Sequence, residues 1–207
     1  MPELPIEAFH FVDAVNWASV ETEGLHSTDT LLRMAAFPPD VVAAARNWRS
    51  AGLLLPNGRY IRDQRPMPAA ALGPSLDDGL APADWYELLN TCVFFWLSAD
   101  RAANHRRALR HRPQMLIRLD ARRLAAAYAD IACVSPFNLG NARRQPARRG
   151  LRSLVPVDVW QKTAWQTERP PPTAMRSPSH KPAELVLRGS VPDFLRYVTA
   201  IEALPAY

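Results

Sequence analysis

One glutamate and one histidine in this chain stand where acid–base or charge-stabilising chemistry could occur. Glu184 opens the apolar segment ELVLRG and is the only acidic residue between Glu168 and Asp193. A carboxylate in such a place could stabilise a developing positive charge or accept a proton, although a strand can also simply begin with an exposed glutamate. His10 lies in the alternating segment AFHFV, where a histidine is either a ligand contact or a hydrogen-bonded core residue.

Two arginines and an aromatic run complete the candidate site. Arg62 in RDQR and Arg101 after TCVFFWLS could each hold a phosphate through a bidentate guanidinium group. Arg62 could instead bridge to an aspartate near its hairpin. Phe95 or Trp96 could pack against a flat ring, but side chains alternate along a strand, so at least one residue of this run must belong to the core.

Positive charge is concentrated in residues 101–152, which contain 13 arginines against two aspartates, while the whole chain has a net charge of +5. This asymmetry indicates a basic face for a polyanion, either nucleic acid or the phosphates of a dinucleotide. A solvated helix and loop explain it equally well. In the loop after IACVS, the candidate nucleic-acid contacts are Asn138, Arg143, Arg144, Arg148 and Arg149.

The elements that must position these residues follow from apolar spacing. Helices are predicted mainly in the first half, and short strands with long loops in the second, which is typical of an α+β fold. The length of 207 residues suits one domain over 1–207. Ser27 and Ser98 are expected to cap helices, and Asn57-Gly58 predicts a hairpin. Segments 157–166 and 196–204 remain open between alternatives, the second between helix and strand.

Several function classes are not supported by any motif. There is no glycine-rich phosphate loop, and the five histidines lack metal-ligand spacing, so no metal is expected. Cys92 and Cys133 form no paired motif. No apolar run is long enough to span a membrane and the first residues do not resemble a signal peptide, so a cytoplasmic location without a membrane partner is expected.

Taken together, the signatures NW…GL, RDQ, LN-x-VFFW, SP-x-N-x-GN and PAEL resemble a bacterial domain family related to the DarT-like branch of the ADP-ribosyltransferase superfamily. The resemblance implies a split β core. It also implies that His10 and Asn16 help to bind NAD, and that Arg101 and Glu184 are catalytic. Val12 stands where that branch prefers threonine, and Arg101 lies further from the aromatic strand than the family's arginine.

The expected function is therefore an NAD-dependent ADP-ribosyltransferase that uses NAD as its substrate. Its acceptor is expected to be nucleic acid, DNA rather than RNA, in the setting of a toxin or of phage defence. The first alternative is a catalytically inactive module that binds a nucleotide or nucleic acid, which the differences at Val12 and Arg101 favour. The second is an interaction protein whose basic face binds an acidic partner.

Overall fold

A seven-stranded antiparallel sheet forms the centre of the computed structural model, which describes residues 1–143, 147–168 and 176–207. The strands are β1 (Glu7–Asp13), β2 (Leu53–Leu54), β3 (Tyr60–Ile61), β4 (Val93–Trp96), β5 (Gln114–Asp120), β6 (Ala132–Ser135), β7 (Val155–Pro156), β8 (Glu184–Leu187) and β9 (Val198–Leu204). The α-helices are α1 (Trp17–Glu23), α2 (Thr28–Met34), α3 (Pro39–Arg46), α4 (Ala69–Leu72), α5 (Pro82–Asn90), α6 (Ala99–Ala108), α7 (Ala121–Ala127) and α8 (Val157–Thr163). Five of these helices precede β4. The predicted α+β class is confirmed.

The sheet consists of two halves that meet at a narrow junction. Its strand order is β7-β6-β8-β4-β1-β5-β9, and all its neighbouring strands are antiparallel. β1 pairs with β5 over its whole length, whereas β1 and β4 are in register at one pair, Phe9 and Trp96. Next to that pair the imidazole Nδ1 of His10 lies 2.7 Å from the carbonyl oxygen of Phe94. A side chain therefore bridges the two strands where the backbone ladder stops.

The main core includes buried residues of both half-sheets. All four residues of β8 are buried because β4 and β6 flank it and helices cover the sheet. Phe95, Leu185 and Trp160 belong to this core, and each is at most 2% exposed. Burial of side chains of this size contributes about 2 kcal/mol or more each. The strand that begins with Glu184 is therefore held firmly in place.

Local signals in the N-terminal half are mostly confirmed. The Ser27 hydroxyl accepts a hydrogen bond from the Thr30 amide at 3.3 Å and caps α2, as predicted. The Asn57-Gly58 dipeptide connects β2 and β3 in an antiparallel hairpin. Ser98 does occupy the position before α6, but its side chain makes no capping hydrogen bond. The predicted side-chain cap is therefore wrong at Ser98.

The two segments whose secondary structure the sequence left undecided, 157–166 and 196–204, adopt different structures. Residues 157–163 form α8, with Val157 and Trp160 buried against the core. Residues 198–204 form β9, which pairs with β5 at the edge of the sheet and is exposed over most of its length. Among the described residues, no helix combines the length and apolar composition that would be needed to cross a membrane.

Candidate functional site

A cleft of about 730 Å³ opens where β1 and β4 separate. Its volume is in the range of small-molecule and cofactor sites. Of the residues predicted from the sequence, those that line it are His10, Arg62, Trp96, Arg101, Asn138 and Glu184. They come from β1, the segment after β3, the end of β4, α6, the loop after β6 and the start of β8. The fold thus gathers side chains that are distant in sequence.

Glu184 is the buried acidic group of the cleft. It is 3% exposed and lies between Trp96 of β4 and Ser135 of β6. Its Oε2 accepts a hydrogen bond from the Leu139 amide at 3.0 Å, and no described residue donates to Oε1. Burial raises the pKa of Glu184 to about 7, against the opposing effects of the Leu139 amide and nearby arginines. Near neutral pH the carboxyl can therefore both hold and release a proton.

Arg101 supplies the cation of the cleft that has no protein partner. It lies in the first turn of α6 and its side chain is exposed. Its guanidinium forms no hydrogen bond or ion pair with any residue in the described ranges. Its positive charge lowers the pKa of Glu184, which places the two groups within electrostatic reach. An arginine with five unused N–H donors suits a phosphate or carboxylate ligand.

His10 is neutral at physiological pH. Because a carbonyl oxygen can only accept, the hydrogen bond to Phe94 assigns the proton to Nδ1 and leaves Nε2 as an acceptor. Desolvation, and secondarily the charge of Arg62, lowers the pKa of His10 to about 4. Its ring also packs on Phe95, with centroids 5.2 Å apart. The imidazole is held at two points and can accept a hydrogen bond from a ligand hydroxyl.

Arg62 is tied into a network rather than standing free. Its Nε donates to Asp13 Oδ2 at 2.7 Å and its Nη2 to the carbonyl of Phe11 at 3.1 Å. Nη1 donates to Nε2 of His105 at 3.2 Å, since arginine has no acceptor. The predicted alternative, a bridge to an aspartate, is therefore observed, although the aspartate lies on β1. Two N–H groups of Arg62 still remain for a ligand.

Three residues of this network were not predicted: Asp13, His105 and Arg112. Asp13 is 4% exposed, and its Oδ1 lies 3.2 Å from Nε of Arg112, so one carboxylate faces two guanidinium groups. Burial, and then the charge of Arg62, lowers the pKa of His105 to about 3. The network therefore carries one net positive charge. A signal for His105 did exist, because it lies four residues after Arg101 on the same helix face.

Phe95 does not line the cleft. It is fully buried in the core because β4 alternates, and its neighbours Phe94 and Trp96 point the other way and do line the cleft. The predicted contact between Phe95 and a cofactor is thus wrong. Trp96 does line the cleft, and its contact with a cofactor stays a prediction; its ring packs on His105 with centroids 5.5 Å apart.

Asn16 likewise makes its contacts within the protein and not in the cleft. Its amide donates to the carbonyl of Tyr60 and accepts from the Tyr60 amide, both at 2.8 Å. It lines an adjoining pocket of about 120 Å³, together with Val12. These two hydrogen bonds fix β3 beside β1. Asn16 does not line the cleft, and its expected contact with a cofactor stays a prediction.

The residues of the loop predicted to contact nucleic acid lie in different environments. Asn138 accepts from the Gly140 amide at 2.8 Å, which is a turn, and still lines the cleft. Arg143 is exposed and donates to the Arg65 carbonyl at 3.3 Å. Arg148 is exposed but paired with Asp77. Arg144 lies outside the described residues.

Arg149 is wrongly predicted as a nucleic-acid contact. It is 1% exposed, so its guanidinium is not on the surface that a phosphate could reach. Asn90, at the end of α5, is 2% exposed, and its Oδ1 accepts from Arg49 and from Gln64. The RDQ and LN signatures thus meet in one polar cluster that forms part of the cleft lining.

No cluster of side chains suited to a metal ion occurs in the part of the chain that the structure describes. Neither the curated proteins nor the solved structures include one that matches this sequence. One family model does match, over residues 7–198, which spans β1 to the first residue of β9 and every residue discussed for the cleft. The chain therefore belongs to DUF7002, a family of unknown function.

Proposed function

We propose that this protein is an NAD-dependent ADP-ribosyltransferase whose substrate lies in the cleft between the half-sheets. The observation that carries the proposal is the joint placement of Glu184, Arg101, His10 and Trp96 around one cavity. The resemblance to the DarT-like branch pairs these same residues with NAD binding and catalysis. The junction at Phe9 and Trp96 also agrees with the split β core that the resemblance implies.

Glu184 would act on the ribose of NAD from which nicotinamide departs. The bond between ribose C1′ and the nicotinamide nitrogen breaks, the electron pair leaves with nicotinamide, and the ribose gains oxocarbenium character. Ionised Glu184, held through Oε2, would present Oε1 to this positive charge. The acceptor then forms a bond to C1′ and gives its proton to the carboxylate. The atoms and charges balance without a further reactant.

The other residues of the cleft would bind the rest of the dinucleotide. Arg101 has all its N–H donors available for the pyrophosphate, and Arg62 has two. His10 would accept from a ribose hydroxyl through Nε2, and Trp96 would contact a planar ring. Because Arg62 is anchored by Asp13, its guanidinium is ordered before the substrate binds, which lowers the entropic cost of binding.

The acceptor in this proposal is nucleic acid, DNA rather than RNA, but the basic surface differs from the predicted loop. Arg107 and Arg110 near the end of α6 are exposed and form no ion pair with a described carboxylate. Arg101 at the start of that helix lines the cleft. Arg107 and Arg110 do not line the cleft themselves, so their charge would attract a polyanion to the surface beside it.

A catalytically inactive nucleotide-binding module is the second candidate. Val12 favours it, because this residue is 5% exposed beside the small pocket and offers no hydroxyl where the DarT-like branch prefers threonine. In that case NAD or another nucleotide would bind in the cleft without turnover. Binding and turnover must therefore be measured separately.

The test is to incubate the purified protein with NAD, alone and with DNA or RNA oligonucleotides. Nicotinamide release and oligonucleotide mass are followed together. We expect one added ADP-ribose per modified site, and a fall of roughly 10²–10³-fold in turnover for Glu184→Gln, the scale for losing one group that stabilises the transition state. Thermal stabilisation by NAD should survive in this variant.

The matched control is Glu202→Gln, since Glu202 is an exposed glutamate on β9 that does not line the cleft. It should behave as the unmodified chain. Stabilisation by NAD without nicotinamide release would favour the inactive module. If NAD neither stabilises the protein nor loses nicotinamide, both the transferase and an inactive module that binds NAD fail.

A further inference from the structure

Among the described residues, Arg149 is the most deeply buried arginine, and it forms no ion pair with a carboxylate. Its Nε donates to the carbonyl of Ala147 and its Nη1 to the carbonyl of Leu139, both at 3.0 Å. Its Cζ lies 5.2 Å from the ring centroid of Phe137. A buried cation whose direct contacts are carbonyl dipoles and an aromatic ring is costly even with the charge of Glu184 within electrostatic reach, so a purely packing role would be served better by an apolar side chain.

The loop that Arg149 holds is the same loop that holds Glu184. The Leu139 amide donates to Glu184 Oε2 at 3.0 Å, while the Leu139 carbonyl accepts from Arg149. Leu139 is fully buried, so water cannot replace either partner. One residue therefore links the guanidinium to the carboxyl, with its amide on one side and its carbonyl on the other.

We propose that Arg149 is a positioning residue for Glu184. It fixes the backbone at Leu139 so that the amide occupies Oε2, and this leaves Oε1 directed to the cleft. The catalytic meaning of this arrangement rests on the proposed function, but the arrangement itself does not. Arg149 does not touch a ligand in this proposal, since it lines no part of the cleft.

Few charged or titratable groups face Glu184 from the elements packed around it. Arg101 of α6 and Arg149 both favour its ionised form, and the Leu139 amide does so more strongly. Cys92, just before β4, is also within electrostatic reach. Loss of Arg149 removes one positive charge and releases the amide, and both changes act in the same direction. The proton affinity of Glu184 should therefore rise.

The experiment is a ¹³C NMR titration of protein labelled at the glutamate carboxyl carbons, with the Glu184 signal assigned from Glu184→Gln. In Arg149→Met we expect the midpoint of this signal to move upward by about one pH unit or more. Arg149→Lys keeps the charge but loses the two-point hold, so a smaller upward change is expected. Arg152→Gln is the matched control, because Arg152 is an exposed neighbour that has no partner within the described ranges. The midpoint in this variant should match that of the unmodified chain.

A midpoint in Arg149→Met equal to that of the unmodified chain would overturn the proposal, even if the variant is less stable. Should Arg149→Met fail to fold, Arg149→Lys decides in the same way. In an active enzyme, the pH midpoint of nicotinamide release should follow the NMR midpoint in each variant. If the unmodified chain releases no nicotinamide, the proposed function fails while the titration still tests the link from Arg149 to Glu184.

Discussion

Glu184 is a buried carboxyl group, although an ionised carboxylate is more stable in water. Only one of its oxygens has a protein donor, and its pKa of about 7 compares with the ordinary value of 4.5. The sequence marked this residue because no other acid lies near it in the chain. Its burial and its partner Leu139 could not be predicted, since that contact joins residues 45 positions apart.

The raised pKa of Glu184 predicts how stability depends on pH. Between pH 4.5 and 7 the folded chain retains a proton that the unfolded chain has lost. The stability associated with the protonated carboxyl is therefore complete below 4.5 and is lost as the pH rises through 7. Glu184→Gln cannot ionise, so above about pH 8 it should exceed the unmodified chain in unfolding free energy by up to roughly 3 kcal/mol.

Urea unfolding at acidic and alkaline pH measures this difference. Near the ordinary glutamate pKa the two proteins should be equally stable, and the gap should open as the pH rises. Glu202→Gln should show no such gap, because Glu202 is exposed. A constant difference at all pH values would mean that ionisation of Glu184 does not oppose folding.

For Arg149 and Phe95, the sequence could not show which way the side chain faces or whether it is buried. Alternation on β4 requires Phe95 to face away from Phe94 and Trp96, but it does not say which side is the cleft. Arg149 lies in a run of arginines that reads as a surface loop. Its burial depends on Leu139 and Phe137, which only the folded chain brings beside it.

At the scale of elements, the segment after α1 crosses the segment after β8 in close backbone contact. Leu25 and Val191 form two backbone hydrogen bonds, at 3.0 and 2.6 Å. Gly24 has a φ of +94°, and a Cβ built there would lie 2.3 Å from the Cα of Pro192. Glycine is required both by the backbone conformation and by the lack of space.

Gly24→Ala should therefore destabilise the protein by about 2 kcal/mol or more, since strain and overlap add. Gly58→Ala is the matched control, because Gly58 has a φ of +80° but no atom within 4 Å of a built Cβ. In this control only the backbone conformation is strained, so the unfolding free energy should fall by about 1 kcal/mol. Chemical denaturation of both variants compares the two costs, and equal losses would show that the approach of Pro192 is unimportant.

Most elements could be predicted from the sequence because their signals are local. The Ser27 cap, the Asn57-Gly58 hairpin and the apolar alternation of β1 each depend on neighbouring residues. β9 was open between helix and strand because its residues suit both; pairing with β5 decides it. The order of strands in the sheet could not be predicted, since every neighbour of β1 and β8 is distant in sequence.

At the scale of the whole molecule, positive charge is distributed unevenly. Exposed arginines lie along α6, whereas several arginines of the loop after β6 are paired, buried or hydrogen-bonded to backbone. The basic stretch in the sequence is thus only partly a basic surface. The sequence alone could not distinguish exposed arginines from paired or buried ones, because the partner of an arginine is set by the fold and not by the residue type.

This distribution predicts which arginines govern binding to nucleic acid. The logarithm of affinity should fall linearly with the logarithm of salt concentration, and replacing Arg107 and Arg110 by glutamine should reduce that slope by about 2. Arg188→Gln is the control, since Arg188 is exposed at the opposite end of β8 from Glu184. Fluorescence anisotropy with a labelled oligonucleotide measures the slopes. Equal slopes in all variants would exclude α6 as the contact surface.

The divided sheet has a consequence for how the chain reaches its folded state. One half-sheet draws β1, β5 and β9 from widely separated parts of the sequence, and the strands of the other half lie between them. Such a topology has a high contact order, so folding should be slow compared with that of helical proteins of this size. Neither half can be excised as a contiguous fragment. β9 covers the free edge of β5, so a protein interrupted before residue 198 would expose β5 as an unpaired edge open to aggregation.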